Sequence, residues 1–286
     1  MKIVFFGTPQ NAALVLSKLI SSKFRPALVI TGVDVKRGRG KQLQSTPVRR
    51  VAEANDIKVL SPENLNNEKF IDAFREFASD IAILIAYGKL IPAEILAIPN
   101  FGFVNIHPSL LPKYRGPSPI YQTILAGDKK TGVTIIKLDK ELDHGPIITR
   151  KELSITEKDT HDSLMTKLAN VGAELLIDIM PSYLDGSSEP KQQDHTKATY
   201  TEMIKKEDGY IDLKNPPDPE KLDRMIRAYY PWPGVWTKIN GKIFKFLPGN
   251  LIQPEGKKPM TIKEFFNGYP ETKSLIEPLV DSTQPK

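Results

Sequence analysis

The chain has 286 residues, enough for one large and one small domain, with a net charge of +6 and no cysteine. The missing cysteine excludes disulfides, thiolate zinc sites and a cysteine nucleophile. No apolar run reaches the ~20 residues of a membrane-spanning helix, and the opening Met-Lys-Ile-Val-Phe-Phe-Gly has no signal-peptide layout, so a cytoplasmic protein without a membrane partner is expected.

Residues 3–6 form an apolar run of the kind that becomes a fully buried parallel strand. Thr8 and Pro9 then fit an N-cap and first helical position, with Leu14, Leu16, Leu19 and Ile20 continuing the helix. Residues 27–31 give a second strand and complete a βαβ unit. The Gly7-Thr8-Pro9 turn is not G-x-G-x-x-G, and no acid ends the second strand, so a nicotinamide enzyme is a poor fit.

The connection after Thr31 exceeds the usual ~2–6 residues. Lys36, Arg37, Arg39, Lys41, Arg49 and Arg50 fall in or just after it with no acid among them. A solvated basic loop and an anion-binding loop both fit this pattern. Thr46-Pro47 repeats the capping pattern and opens a helix through Ala54.

Further strands are expected at 58–60, 81–86 and 102–107, and helices at 68–77, from Pro92, and at 116–126. This alternation argues for a mostly parallel, Rossmann-like α/β sheet with helices on both faces. Residues 133–138 and 147–153 then read as an antiparallel pair, and 160–180 as a helix capped by Thr160 and ended by Pro181. Polar, aperiodic residues 185–206 read as a linker. Beyond them come an apolar segment at 209–213, a helix through Arg227, and a hairpin turning at Asn240-Gly241. Residues 259–266 add a strand or a short helix, and from Pro270 the tail offers little pattern.

The chemistry concentrates at residues 105–119. Residues two apart on a strand share a face, so Asn105 and His107 point to one spot, and Pro108 ends the strand there. Open α/β sheets bind ligands at such carboxyl ends. An Asn amide can donate to an oxyanion, and a histidine can donate or relay a proton. A carboxylate such as Asp143 can orient the imidazole or accept a proton from an attacking amine. Taken singly, a capped strand end and a loop-capping acid fit these residues as well. The four histidines have no ligand-like spacing, so no metal is expected.

Asn105-Ile-His107, Ser109-Leu-Leu-Pro112, Arg115-Gly116, Ile120, Thr131-Gly-Val-Thr and Leu142-Asp143-x-Gly145 together resemble the folate-dependent formyltransferases. Gly7-Thr8-Pro9, Gly38-Arg39-Gly40-Lys41, Ala86-Tyr87-Gly88, Pro231-Trp-Pro-Gly234 and Gln253-Pro-Glu-Gly-Lys257-Lys258 resemble the branch of that family acting on methionyl-tRNA.

The resemblance implies formyl transfer from 10-formyltetrahydrofolate to the α-amino group of methionyl initiator tRNA, by a monomer. It implies Asn105, His107 and Asp143 as catalytic residues. Ser109, Leu110, Leu111, Pro112, Tyr87 and Leu90 would contact the folate, and Arg37, Arg39 and Lys41 the tRNA. It divides the chain into a catalytic domain at 1–184, a linker at 185–206, a small, shortened OB-like β domain binding tRNA at 207–270, and a tail at 271–286.

Asn11 stands where the family usually has an aromatic, and Gly32-Val33-Asp34-Val35 where its loop starts Pro-Asp-x-Pro. Past Phe246 the sequence shows fewer strands than the family's five-stranded barrel. A formyltransferase acting on a glycinamide nucleotide or amino sugar, and a non-catalytic RNA-binding relative, are the alternatives.

Overall fold

The computed structural model describes residues 1–37 and 42–280. The elements run β1 (Ile3–Gly7), α1 (Gln10–Ile20), β2 (Leu28–Ile30), β3 (Val35–Arg37), β4 (Gln42–Gln44), α2 (Pro47–Glu53) and β5 (Lys58–Leu60). They continue with α3 (Glu68–Phe77), β6 (Ile81–Ile85), α4 (Ala93–Leu96), β7 (Phe103–His107), α5 (Pro119–Leu125), β8 (Lys130–Lys137), β9 (Ile147–Ser154) and α6 (His161–Leu184).

Seven of these strands form one sheet in the order β5-β2-β1-β6-β7-β8-β9. Pairing is parallel from β5 through β7 and antiparallel between β7 and β8. β1 and β6 are apolar almost throughout because they lie inside the sheet with both faces covered, and β7 lies beside them, buried at every position, with Asn105 and His107 as its polar residues. On one face Val4, Phe6, Ile30, Ala82 and Phe103 pack against Phe74 of α3 and Ile95 of α4. Phe6 sits at the centre, its ring 5.8 Å from Phe74, 5.4 Å from Tyr87 and 5.1 Å from Phe103. Ile106, of opposite parity on β7, meets α6 at Gly172 on the other face. The expected parallel sheet with helices on both faces is therefore present.

The second sheet contains β10 (Val235–Ile239), β11 (Lys242–Leu247), β12 (Leu251–Pro254) and β13 (Met260–Thr261), in that order. All its pairs are antiparallel. Asn240 and Gly241 have φ of 48° and 83°, as the expected hairpin turn requires. Helix α7 (Pro219–Tyr229) precedes this sheet, with Asp218 accepting from the Lys221 amide at 2.8 Å. Helices α8 (Ile262–Gly268) and α9 (Lys273–Val280) follow it. Phe265 of α8 covers the sheet through Phe244, ring centroids 5.4 Å apart.

The chain forms two compact units. One comprises Met1–Gly116, Gly132–Leu153 and Thr166–Tyr200; the other comprises Pro117–Thr131, Ser154–Met165 and Thr201–Lys286. The segment expected as a linker thus contributes its first part, through Tyr200, to the unit holding the large sheet. Among the described residues no helix is long and apolar enough to cross a membrane.

Several local expectations are corrected. Thr8 does not cap α1: its hydroxyl donates to the Tyr87 carbonyl at 3.1 Å and accepts from the Gly32 amide at 3.3 Å. It ties the ends of three neighbouring strands, and Pro9 takes the cap position without a side-chain bond. Thr46 does cap α2, accepting from the Arg49 amide at 3.0 Å. Pro181 does not end α6, which runs one more turn to Leu184.

The long basic connection contains a strand pair, β3 with β4. Arg49 is neutralised there by Asp34 at 3.1 Å, a close ion pair not aligned as a hydrogen bond, and by Glu53 at 3.4 Å. Strand β12 lies where the sequence showed no strand. The tail is helical as far as Val280, with Ile276, Leu279 and Val280 buried.

Candidate active site

Strand β7 is buried at every position, and its alternation divides it sharply. Phe103 enters the core, and Asn105 and His107 continue the same face to the carboxyl end, 6% and 4% exposed. Asn105 is fixed in register by Leu84 on one side and Ile136 on the other. The strand stops before Pro108, which has no N–H to continue the ladder.

The next segment winds onto Thr134 of β8. The Thr134 hydroxyl donates to the Ser109 carbonyl at 2.7 Å and accepts from the Leu111 amide at 3.1 Å. Ser109 turns its own hydroxyl to the Lys113 carbonyl at 2.6 Å. This returns the chain so that the Tyr114 carbonyl lies 3.0 Å from Nε2 of His107. A carbonyl can only accept, so Nε2 carries the proton and donates.

Asp143 arrives from the loop between β8 and β9, with its backbone in the left-handed region at φ 49°. The loop is forced tight two residues later: a Cβ on Gly145 would lie 1.9 Å from the Lys137 carbonyl oxygen. The Gly116 amide donates to Oδ2 of Asp143 at 2.8 Å. Oδ1 is 3.4 Å from the Asn105 amide nitrogen and 3.4 Å from Nδ1 of His107. The three residues read from the sequence therefore meet at one carboxylate oxygen.

Behind them stands a layer the sequence reading missed. Gln193, inside the expected linker, is 5% exposed. Its Nε2 donates to the carbonyls of Asp143 and Gly145, both at 2.8 Å. Its Oε1 accepts from Nε and Nη2 of Arg115 at 3.2 and 2.8 Å. Arg115, 1% exposed, also reaches Nδ1 of His195 at 2.8 Å and the Tyr200 hydroxyl at 3.2 Å. The His195 ring stacks on His144 at 4.0 Å, and His144 Nδ1 lies 2.6 Å from Asp139. Arg115 was visible in the sequence only as part of a motif, and no periodicity marks Gln193 or His195.

The remaining candidates are dispersed. Tyr87 is buried in the core, its hydroxyl without a hydrogen-bond partner among the described residues and its pKa pushed up to about 12 by burial. Leu90 is 79% exposed, whereas Ser109 and Leu111 are fully buried. Arg37 ends β3; Arg39 and Lys41 lie outside the described residues.

A parallel sheet with an amide, an imidazole and a carboxylate converging at one strand's carboxyl end has the build of a group-transfer enzyme. The chain belongs to the formyl transferase family: the model "Formyl transferase" matches residues 1–180, and "Formyl transferase, C-terminal domain" matches residues 203–251. Within it, the chain is 40% identical over 259 residues to the methionyl-tRNA formyltransferase of Thermotoga maritima, covering 91% of this chain and 82% of that one. A 4-N formyltransferase from Francisella tularensis shares the fold, with TM-score 0.68 at 20% identity over 86% of this chain and 96% of that one. So does a sugar 3N-formyl transferase solved with dTDP and 5-N-formyl-THF, with TM-score 0.64 at 19% identity over 90% and 99%.

Proposed function

We propose that the chain transfers the formyl group of 10-formyltetrahydrofolate to the α-amino group of methionyl initiator tRNA. One observation carries the reading: Asn105 and His107 each lie 3.4 Å from one carboxylate oxygen of Asp143, in a member of the formyl transferase family. Similarity to a methionyl-tRNA formyltransferase over 91% of the chain supports the choice of acceptor.

In this proposal the amine attacks the formyl carbon and a tetrahedral oxyanion forms. The Asn105 amide donates to that oxygen. Its 3.4 Å contact with Asp143 is long for a hydrogen bond, so exchanging it for an oxyanion costs little. Oδ1 of Asp143 takes the surplus proton of the attacking nitrogen, while Gly116 holds Oδ2. His107 is anchored through Nε2, which aims Nδ1 at the same point; in its protonated form it is a second donor to the oxyanion. Collapse breaks the carbon–N10 bond, and the departing nitrogen takes up the proton that Asp143 received, directly or through water. No serine or cysteine nucleophile is needed, because the acceptor is itself the nucleophile.

For the folate, exposed Leu90 and half-buried Leu110 offer apolar surface. Buried Ser109, Leu111 and Tyr87 would act by shaping the segments that carry it, beside Pro112. Arg37, Arg39 and Lys41 would contact tRNA phosphates, with residues 207–270 as a further tRNA-binding part. A formylation assay offering initiator methionyl-tRNA, elongator methionyl-tRNA and a nucleotide-linked amino sugar should show fastest transfer to the initiator. Preference for the sugar would favour the alternative that the fold also admits.

A further inference from the structure

We propose that Gln193 is a positioning residue for Asp143, acting from the segment that the sequence presents as a linker. The inference rests on the role given to Asp143 above.

The Gln193 side chain spends its whole hydrogen-bonding capacity in one place. Its two N–H groups go to the Asp143 and Gly145 carbonyls, and its oxygen takes two guanidinium donors from Arg115. The orientation is unambiguous, since carbonyls only accept and a guanidinium only donates. At 5% exposure the amide has little water to fall back on. Losing either set of partners would leave buried polar groups unpaired.

The two carbonyls it holds flank His144 and bracket the turn in which Asp143 adopts φ 49°. That conformation is unfavourable for a residue with a Cβ and persists only where neighbours impose it. Gly116 fixes the carboxylate through Oδ2, and Gln193 fixes the backbone carrying it. Together they leave Oδ1 one position, against Asn105 and His107.

Gln193 is itself held on both sides. Lys191 exchanges two backbone hydrogen bonds with Ile147, at 2.7 and 2.8 Å, and the Thr199 carbonyl accepts from the Arg115 amide at 2.8 Å. The segment from 191 to 200 thus braces the Asp143 loop from outside the sheet.

The test is Gln193→Glu. It keeps an oxygen for Arg115, removes both donors, and sets an oxygen against two carbonyls. Turnover should fall about 10–100-fold, the scale of a catalytic group misplaced by a fraction of an ångström. KM for both substrates should stay within about twofold, since the buried amide is fully engaged within the protein. The thermal midpoint should fall only modestly, because the Asp143 and Gly145 carbonyls lose their donors while Arg115 keeps its partner. Gln193→Met, uncharged and of similar length, provides the second variant and should show the same split of turnover from KM, with a larger fall in thermal midpoint because Arg115 loses that partner as well.

Undiminished turnover in either folded variant would overturn the inference. So would a KM that rises as turnover falls, or a turnover loss that follows the thermal midpoint, far larger in Gln193→Met than in Gln193→Glu. Asp143→Ala separates the two readings. If it retains activity, the role of Asp143 fails; if it is inactive while Gln193→Glu is fully active, only the present inference fails.

Discussion

The Gly116 amide donates to Oδ2 of Asp143 at 2.8 Å, and that bond decides which carboxylate oxygen faces Asn105 and His107. A carboxylate with one oxygen anchored cannot rotate its second oxygen away without giving up a buried, charge-assisted hydrogen bond. Asp143 therefore presents a fixed acceptor at the strand end, which suits proton transfer from an amine that must approach along one direction.

Asn105→Ala should lower kcat by ~10²–10³, the typical cost of removing one oxyanion donor. KM for the formyl donor and affinity for tRNA should change little. Steady-state formylation together with a tRNA binding titration would check this. A variant that turns over normally would remove Asn105 from the chemistry.

Gly145→Ala should damage the site through the backbone. The new methyl would fall 1.9 Å from the Lys137 carbonyl oxygen, so the loop must shift, carrying Asp143 with it. A fall in kcat of at least about 10-fold is expected, with a smaller relative loss of stability. Kinetics and thermal melting on one preparation would show whether activity is the more sensitive quantity.

Phe6→Ala should be the costly core change, since Phe6 is fully buried and meets three aromatic rings. A loss of about 3–5 kcal/mol is expected by urea unfolding, including the cavity left behind. Phe6→Leu should retain a large part of it.

His161 makes stability depend on pH. Burial lowers its pKa from 6.5 to about 4, against a smaller opposing effect of Asp162, and its ring stacks on Tyr121 at 3.9 Å. The unfolded chain takes up this proton more readily, so the contribution is complete above pH 6.5 and is lost as pH falls toward 4. Between pH 7 and 5 the loss should be about 2 kcal/mol. His161→Gln should flatten that part of the profile, as read by urea unfolding at several pH values.

Arg39→Ala should weaken tRNA binding and reduce the slope of log K against log salt by roughly one, the signature of one lost phosphate contact. An unchanged slope would leave the basic charges of this connection with no role in tRNA binding.

The pairing of Asn105 with His107 was legible because strand parity is local: residues two apart share a face whatever the surroundings. The Asn240-Gly241 turn and the Thr46 cap were legible for the same reason, each depending on its own few residues. Thr8 was misread because its hydroxyl finds better partners on two other strand ends than on its own helix. Strand β12 was hidden by Pro254, whose neighbour Glu255 donates to Ile243. The missing N–H of Pro254 therefore faces away from β11, past the short β13, and costs no ladder bond.

The sequence by itself determined the order of strands and helices, the two polar side chains at the end of β7, and the residue types an acyl transfer to an amine requires. Only the tertiary structure decided that Asp143 offers one oxygen to both of them, and that Gln193 and Arg115 brace it from behind. Those contacts join residues far apart in the chain, between buried polar groups that obey no period. A polar stretch without periodicity reads as linker until its hydrogen-bond partners are seen.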